Sequence, residues 1–280
     1  MEWNAGLYEK SSALQQKVGL ACLELLNPTE TDNILDIGCG DGRLSVALAK
    51  KARRGKITAI DASQHMIAQA SGNALREGIP NARFLCMNAL DMPFLREFDA
   101  IFSNYALHWI KDQKTLYRKI FDALKPGGRL IASVLSKEGG PPSGTLIAIG
   151  FTALLEIVQQ ERYQPYLDGM SNHPIFNFLT ADTTRNLLES AGFSSITLDT
   201  RVFIQDFETI DDYIEFDRGT MQVSLINCFP EAMRPEVEQQ LTSAMLREWA
   251  KIPAEQQEAA MSTSWETLFI NASRSIREEK

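Results

Sequence analysis

The stretch Ile34-Leu35-Asp36-Ile37-Gly38-Cys39-Gly40-Asp41-Gly42-Arg43 holds the densest chemistry in this chain. A short apolar run enters glycines at 38, 40 and 42, and Leu44, Ala47 and Leu48 recur at helical spacing directly afterwards. Strand, glycine turn and helix in that order let a backbone lie against a ligand with no Cβ in the way. Asp61 ends the next apolar run, Ile57-Thr58-Ala59-Ile60. A carboxylate there can accept two hydrogen bonds from ribose hydroxyls.

The glycine spacing separates two ligand classes. A dinucleotide fingerprint needs its third glycine at position 43, which is Arg43. Its pyrophosphate also seeks a bare helix N-terminus, and Asp36 and Asp41 would repel one while suiting a cation. S-adenosylmethionine carries a sulfonium and an ammonium and no phosphate. It is the expected cofactor, with S-adenosylhomocysteine as product.

Ligands of open α/β sheets sit outside the carboxyl ends of the strands. The fourth apolar run continues as Phe102-Ser103-Asn104-Tyr105-Ala106-Leu107-His108-Trp109-Ile110. Ser103 and Asn104 are therefore expected near the sulfonium, with His108 and Trp109 facing the methyl acceptor. Tyr8, Ser12 and Gln15 recur at i, i+4 and i+7 on one helix face. They read as a lid over cofactor and substrate. Packing is the alternative use of a lone histidine or tryptophan, and solvation that of Ser12.

Over nearly its whole length the sequence resembles the class I S-adenosylmethionine-dependent methyltransferases. The resemblance implies that Asp36, Gly38 and Gly40 line the methionine part, within a turn that also holds Cys39 and Gly42. It implies that Asp61 binds the ribose and that Ala62 and Met66 flank the adenine. Asn88-Ala89 stands where the family often has Asp-Ala, and the Asn88 oxygen would accept from the adenine amino group; Asp91 is an alternative. Lys125-Pro126-Gly127-Gly128-Arg129-Leu130 looks like the family's turn before its fifth strand. Leu7-Tyr8-Glu9-Lys10-Ser11 leading to Gln15, with Ala106 to Ile110, is similar to insect juvenile hormone acid methyltransferases. Trp3-Asn4 and the general layout are similar to trans-aconitate methyltransferases and to the malonyl-carrier-protein methyltransferase of biotin synthesis. All of these methylate carboxylates, and the first family implies a hold on the acceptor carboxylate by Gln15 and Trp109.

Several elements must position these residues. Apolar runs at 34–37, 57–60, 83–86, 99–103, 129–134, 196–203 and 265–272 predict strands. Helices are predicted at about 5–26, at 64–76 behind a Ser63 cap, near 112–124, and from 180 to Ala191-Gly192. Lys125-Pro126-Gly127-Gly128 reads as the turn that stops the third of these. Strand and helix alternating at this spacing predict an α/β, Rossmann-like, mostly parallel seven-stranded sheet with helices on both faces. The alternation lapses at about 137–178 and 209–262. These segments are expected to form a helical cap within a single domain, 1–280.

Composition bounds the partners. The 280 residues are 44% hydrophobic with a net charge of −8, which suits one large core and no nucleic-acid footprint. The basic run Lys50-Lys51-Ala52-Arg53-Arg54 reads as a solvated helix end. Cys22, Cys39, Cys86 and Cys228 show neither disulfide nor zinc spacing and are expected to be small buried hydrophobes. His65, His108 and His173 show no metal-ligand spacing, so no metal is expected. The longest apolar stretch, Leu146 to Val158, is too short for a bilayer, and no secretory signal is visible. A cytoplasmic setting without membrane contact is expected; the oligomeric state stays open.

A carboxylate is already ionised at neutral pH, its ordinary pKa being about 4. It needs no general base, whereas a hydroxyl acceptor would need one, and His108 is then the candidate. Phe151, Phe176, Phe178, Phe203, Phe207, Tyr213, Phe216 and Phe229 in the cap segments suggest an apolar pocket, or packing alone. Arg162, Arg201 and Arg218 could bind further acid groups, and nothing in their spacing selects one. The leading expectation is methylation of the carboxylate of a small, largely apolar acid. The alternatives are a hydroxyl, carbon or amine of a natural product, or a non-catalytic cofactor-binding partner protein.

Overall fold

Every residue of β1 (Ile34–Ile37) is buried, as in the middle of a parallel sheet covered on both faces. It runs parallel to β2 (Ile57–Asp61) on one side and β4 (Phe98–Asn104) on the other, with Ile34 opposite Ile57 and Ala100. β3 (Ala82–Cys86) adds to β2, and β5 (Leu124–Leu135) adds to β4, both parallel. β7 (Ser262–Ser273) is antiparallel to β5, and β6 (Ser194–Asp206) completes the order β3-β2-β1-β4-β5-β7-β6. The order reverses between β1 and β4, the switch point where open α/β sheets bind ligands. This computed structural model describes residues 13–136, 144–167, 179–220 and 222–276.

Among the described residues, the helices longer than four residues are, in chain order, α1 (Ala13–Leu26), α2 (Arg43–Lys51), α3 (Gln64–Arg76), α4 (Gln113–Ala123), α5 (Thr145–Val158), α6 (Ala181–Ala191), α7 (Ile210–Gly219), α8 (Arg234–Trp249) and α9 (Ala254–Ala260). The sheet extends from β1 toward β2 and β3 on one side and toward β4 and β5 on the other, and right-handed crossovers built in opposite directions place helices on opposite faces. α1 packs on α2 and α2 on α3; α4 packs on α6. The starts are fixed by side chains: Ser63 Oγ accepts from Met66 N–H, Asp112 from Thr115 N–H, and Thr180 from Thr183 N–H. Gly192, at φ 104, ends α6.

The segment Lys125–Gly128 corrects the expected turn. It lies inside β5, which begins at Leu124 rather than Arg129. Phe98 pairs with Leu124 and Ala100 with Arg129, so four residues bulge out while β4 advances by one. Lys125 Nζ reaches both carboxylate oxygens of Asp99, and Gly127 N–H, at φ 80, donates to Arg274 O. The strand can therefore resume after the glycines instead of starting there.

The described residues divide into two compact units: 13–136 with 179–201 and 267–276, and 144–167 with 202–220 and 222–266. The second is mostly helical. α5 packs on α8, burying Ile149, Ala153 and Ile157 with Val237, Leu241 and Met245. Of the aromatics expected around a pocket, Tyr213, Phe216 and Phe229 are buried in this unit's own interior. Phe207 meets the rings of Tyr213 and Phe216 at 5.3 and 5.4 Å, and Phe229 that of Tyr163 at 5.0 Å. Phe176 and Phe178 lie outside the described residues. Asp217 is buried here, takes a 2.6 Å hydrogen bond from Gln222 Nε2, and is pushed up to about 6 by that burial.

Two arginines that could have met acid groups are already paired, Arg162 with Glu236 and Arg201 with Asp199; Arg218 donates to Thr242 Oγ1. Cys22 and Cys39 are buried as expected, but Cys86 is exposed at the end of β3 and Cys228 is half-buried. Among the described residues, no helix is long and apolar enough to cross a membrane, and no group of His, Cys, Asp and Glu is arranged to hold a metal.

Candidate active site

The glycine turn is held from beneath by β2. Gly38 and Cys39 N–H both donate to Ile60 O, and Gly42 N–H closes the turn on Cys39 O. All three glycines have positive φ: 73° at Gly38, 54° at Gly40 and 78° at Gly42. Such values strain any residue with a Cβ. The space a Cβ would need beside two of them is taken by protein. A Cβ at Gly38 would meet Ala106 Cβ at 2.1 Å, and one at Gly42 would meet Ala70 Cβ at 2.7 Å.

Asp61 stitches this turn to the end of β2. Its Oδ2 accepts from Gly40 N–H at 3.0 Å and its Oδ1 from Ser63 N–H at 2.9 Å. Burial raises its carboxyl, and these backbone hydrogen bonds oppose the rise. Asp36, 2% exposed, accepts from Ser45 Oγ at 2.5 Å. Burial, with Asp61 as a like charge nearby, pushes Asp36 up to about 7. Neither acid forms an ion pair among the described residues. Asp41 differs: Arg43 Nε lies 2.8 Å from it, so its charge is already matched and is not the open partner for a cation that the sequence suggested.

The other expected cofactor residues divide. Ala62 is exposed and Met66 buried, two positions either side of the Ser63 cap. Ala89 is buried in a short turn that follows exposed Asn88. The Asn88 oxygen accepts from Leu90 N–H at 3.0 Å, so a local cap already uses the atom expected to meet adenine. Asp91 is exposed at the end of that turn.

At the end of β4, Ser103 and Asn104 are engaged within the protein. Ser103 Oγ donates to Ile37 O at 2.7 Å, tying β4 to β1. Asn104 accepts from Ser133 Oγ at 2.8 Å and donates from Nδ2 to Gln15 O at 2.9 Å. Both side chains hold the frame, instead of presenting free polar groups toward a sulfonium. Asn104 thereby fixes α1 by its main chain at residue 15. The Gln15 side chain is half-buried, and its Oε1 has no hydrogen-bond partner among the described residues. Tyr8 and Ser12, the rest of the expected lid stripe, lie outside the described residues.

His108 and Trp109 sit in a tight turn, Leu107–Trp109, with ring centroids 5.6 Å apart. Trp109 is half-buried, whereas His108 is 3% exposed. Leu135 N–H donates to His108 Nδ1 at 3.4 Å, which leaves the proton of the neutral ring on Nε2. Burial holds this imidazole down at about 3. Gln113, at the start of α4, clamps the turn from behind: its Nε2 donates to Leu107 O and Ile110 O. Gln113, Ser45 and Ser133 escaped the sequence reading. A hydrophilic residue beside a helix start gave a weak signal for Gln113, and nothing local marked the two serines.

Residues 34–128 match a family model described as a methyltransferase domain. An uncharacterized methyltransferase of Schizosaccharomyces pombe is 31% identical over 201 residues, 68% of this chain and 70% of the relative. The chain belongs to the S-adenosylmethionine-dependent methyltransferases. A trans-aconitate 2-methyltransferase of Variovorax paradoxus is 30% identical over 154 residues, 55% of this chain and 58% of that protein. The juvenile hormone acid O-methyltransferase of Bombyx mori is 25% identical over 225 residues, 74% of this chain and 75% of that one. The crystal structure of the Bacillus subtilis YcgJ protein shares this fold at a TM-score of 0.60 and 17% identity, covering 93% of this chain and 98% of that one.

Proposed function

We propose that this methyltransferase O-methylates the carboxylate of a small acid that is largely apolar. The observation that carries the reading is the burial of His108, whose Nδ1 already accepts from Leu135 N–H. An imidazole held at about 3 by burial is a poor acceptor for a hydroxyl proton near neutral pH, because base efficiency falls as the pKa leaves the working pH. An acceptor that is already ionised does not call on it. The relatives named for trans-aconitate and juvenile hormone acid add weight, since each name denotes an acid.

S-adenosylmethionine, when bound, supplies a methyl group on a positively charged sulfur. The residues at the switch point fit such a cofactor. Asp36 and Asp61 place two carboxylates without ion-pair partners, among the described residues, at the ends of adjacent strands. They favour a cation and disfavour a pyrophosphate. We assign the methionine part to Asp36 and the turn Gly38-Cys39-Gly40 with Gly42, the ribose to Asp61, and the adenine to Ala62, Met66 and Ala89. Tyr8 stays a proposed lid residue.

The chain's own contribution to the chemistry is then orientation. Gln15 and Trp109 donate hydrogen bonds to the acceptor carboxylate without the charge of an arginine, so its nucleophilicity is kept. His108 stays neutral and shapes the turn. Holding the reactants in line can supply about 7–11 kcal/mol of the barrier. The helical cap expected at about 137–178 and 209–262 stays a proposal.

The test is transfer of a labelled methyl group to a panel of fatty, isoprenoid and polycarboxylic acids and to the matching alcohols. Methyl esters release volatile label on treatment with alkali, and ethers do not. Label that is alkali-stable on an alcohol removes the carboxylate reading.

A further inference from the structure

We propose that Tyr105 is a positioning residue for methyl transfer, tied at its main chain to β5 and at its phenol to β7 so that its ring holds the turn carrying His108 and Trp109. The inference rests on the proposed placing of Trp109 against the acceptor. Tyr105 is the first residue after β4 and has φ 51. A bulky side chain is uncommon in that left-handed region. Such strain persists where the surroundings over-determine it, and it gathers at functional sites.

The surroundings here are a closed circle of contacts within one compact unit. Tyr105 N–H donates to Ser133 O at 3.0 Å and to Ser133 Oγ at 3.2 Å. The Tyr105 phenol shares a hydrogen bond with Thr267 Oγ1, and Thr267 is fully buried on β7. Thr267 stands opposite Leu135 of β5 in the ladder. Leu135 N–H donates to His108 Nδ1 at 3.4 Å. The His108 ring closes the circle, edge-on to the Tyr105 ring with centroids 6.1 Å apart. Trp109 joins it through its ring contact with His108 at 5.6 Å.

Turning the chain does not account for a tyrosine here. Glycine takes a positive φ without strain. The tyrosine adds a bond to β7 and a ring edge against His108. Both act on the turn rather than on the strand before it. The phenol does not serve the reaction as a base: burial drives it well above its ordinary range, so it stays protonated near neutral pH. Its part is to fix a direction. An ionised acceptor needs reacting groups held in line, and a misplacement of about 1 Å can cost about 100-fold in rate.

The experiment compares Tyr105→Phe and Thr267→Val, which each remove the phenol bond and keep the shape, with Thr267→Ser, which keeps a hydroxyl. Hydrogen exchange read by mass spectrometry reports on the turn and needs no acceptor. Exchange in the peptide spanning 106–111 should quicken at least about tenfold in the first two variants, with exchange in the glycine turn at 38–43 unchanged. Thr267→Ser should match the wild type. Kinetics use the acid or alcohol of the panel that the wild type methylates fastest. In Tyr105→Phe and Thr267→Val, kcat should fall about 10- to 100-fold while KM for S-adenosylmethionine stays the same. The two changes together should cost no more than either alone. Alkali-stable label on an alcohol in the wild type removes the carboxylate reading and leaves the Tyr105 test standing, because the variants are compared on that same substrate. Unchanged exchange at 106–111, a wild-type kcat in Tyr105→Phe, additive losses in the double variant, or a Thr267→Ser variant as slow as Thr267→Val overturns the proposal.

Discussion

The Cβ that Gly38 lacks would lie 2.1 Å from the Cβ of Ala106. The turn after β1 and the turn after β4 are therefore interlocked at the point where the strand order reverses. Gly38→Ala combines a strained positive φ, costing about 1–2 kcal/mol, with overpacking of about 1–3 kcal/mol. Urea unfolding should show a loss of about 2–5 kcal/mol. Adding Ala106→Gly should recover only the packing part. An unchanged urea midpoint for Gly38→Ala would contradict this geometry.

His108→Gln should keep activity within about tenfold, equivalent to about 1.4 kcal/mol of barrier. The glutamine retains a hydrogen-bonding group while removing the ring. The wild-type rate at saturating substrates should stay nearly flat from about pH 6 to 8, since the buried imidazole is neutral throughout. A loss of 10²–10⁴-fold, the usual size of a missing general base, would turn the assignment to a hydroxyl acceptor.

Gln15→Ala should raise KM for the acceptor by about 10- to 100-fold, the loss of a hydrogen bond to a charged group. Folding should be untouched, because Asn104 bonds the main chain of residue 15 and not its side chain. Trp109→Ala should do comparable harm. Steady-state kinetics with unchanged thermal midpoints is the check, and wild-type KM in both variants would clear these residues of acceptor contact.

Cofactor affinity should rise with pH through neutrality. Asp36 is pushed up to about 7, so it is mostly protonated at pH 6 and mostly ionised at pH 8. A cation binds the ionised form more tightly and releases the proton. The sign is therefore tighter binding at higher pH, by about tenfold between 6 and 8. Calorimetry in buffers of different ionisation enthalpy would count the proton. Asp36→Asn should bind more weakly and with a flat profile, and Asp61→Ala should cost about 1.5–3 kcal/mol. A wild-type affinity that falls over this range contradicts the role given to Asp36.

Much of the fold could be read from local pattern. The apolar run into Gly38, the caps at Ser63 and Thr180, and the stop at Gly192 are decided by residues within a few positions of one another. The antiparallel β7 was also readable as a strand, though not its direction. The bulge at Lys125–Gly128 was not, because it depends on Asp99 and on Arg274, which is far along the chain. Pro and Gly in sequence look the same whether a strand is about to begin or is passing through.

The site was legible in its outline and less so in its atoms. The glycine turn and the acid at the end of β2 follow from spacing. That Gly38 answers to Ala106, and Asn104 to both Ser133 and Gln15, involves partners far apart in the chain. Asn88 is the opposite case. Its cap on Leu90 is local, two residues away in the chain.

The bond from Asn104 to the main chain of Gln15 separates architecture from selectivity. Any residue offers a carbonyl at position 15, so the helix keeps its seat whatever side chain is written there. Position 15 is thus a socket: its contents can be exchanged, by drift or by design, while the mounting that holds it stays the same.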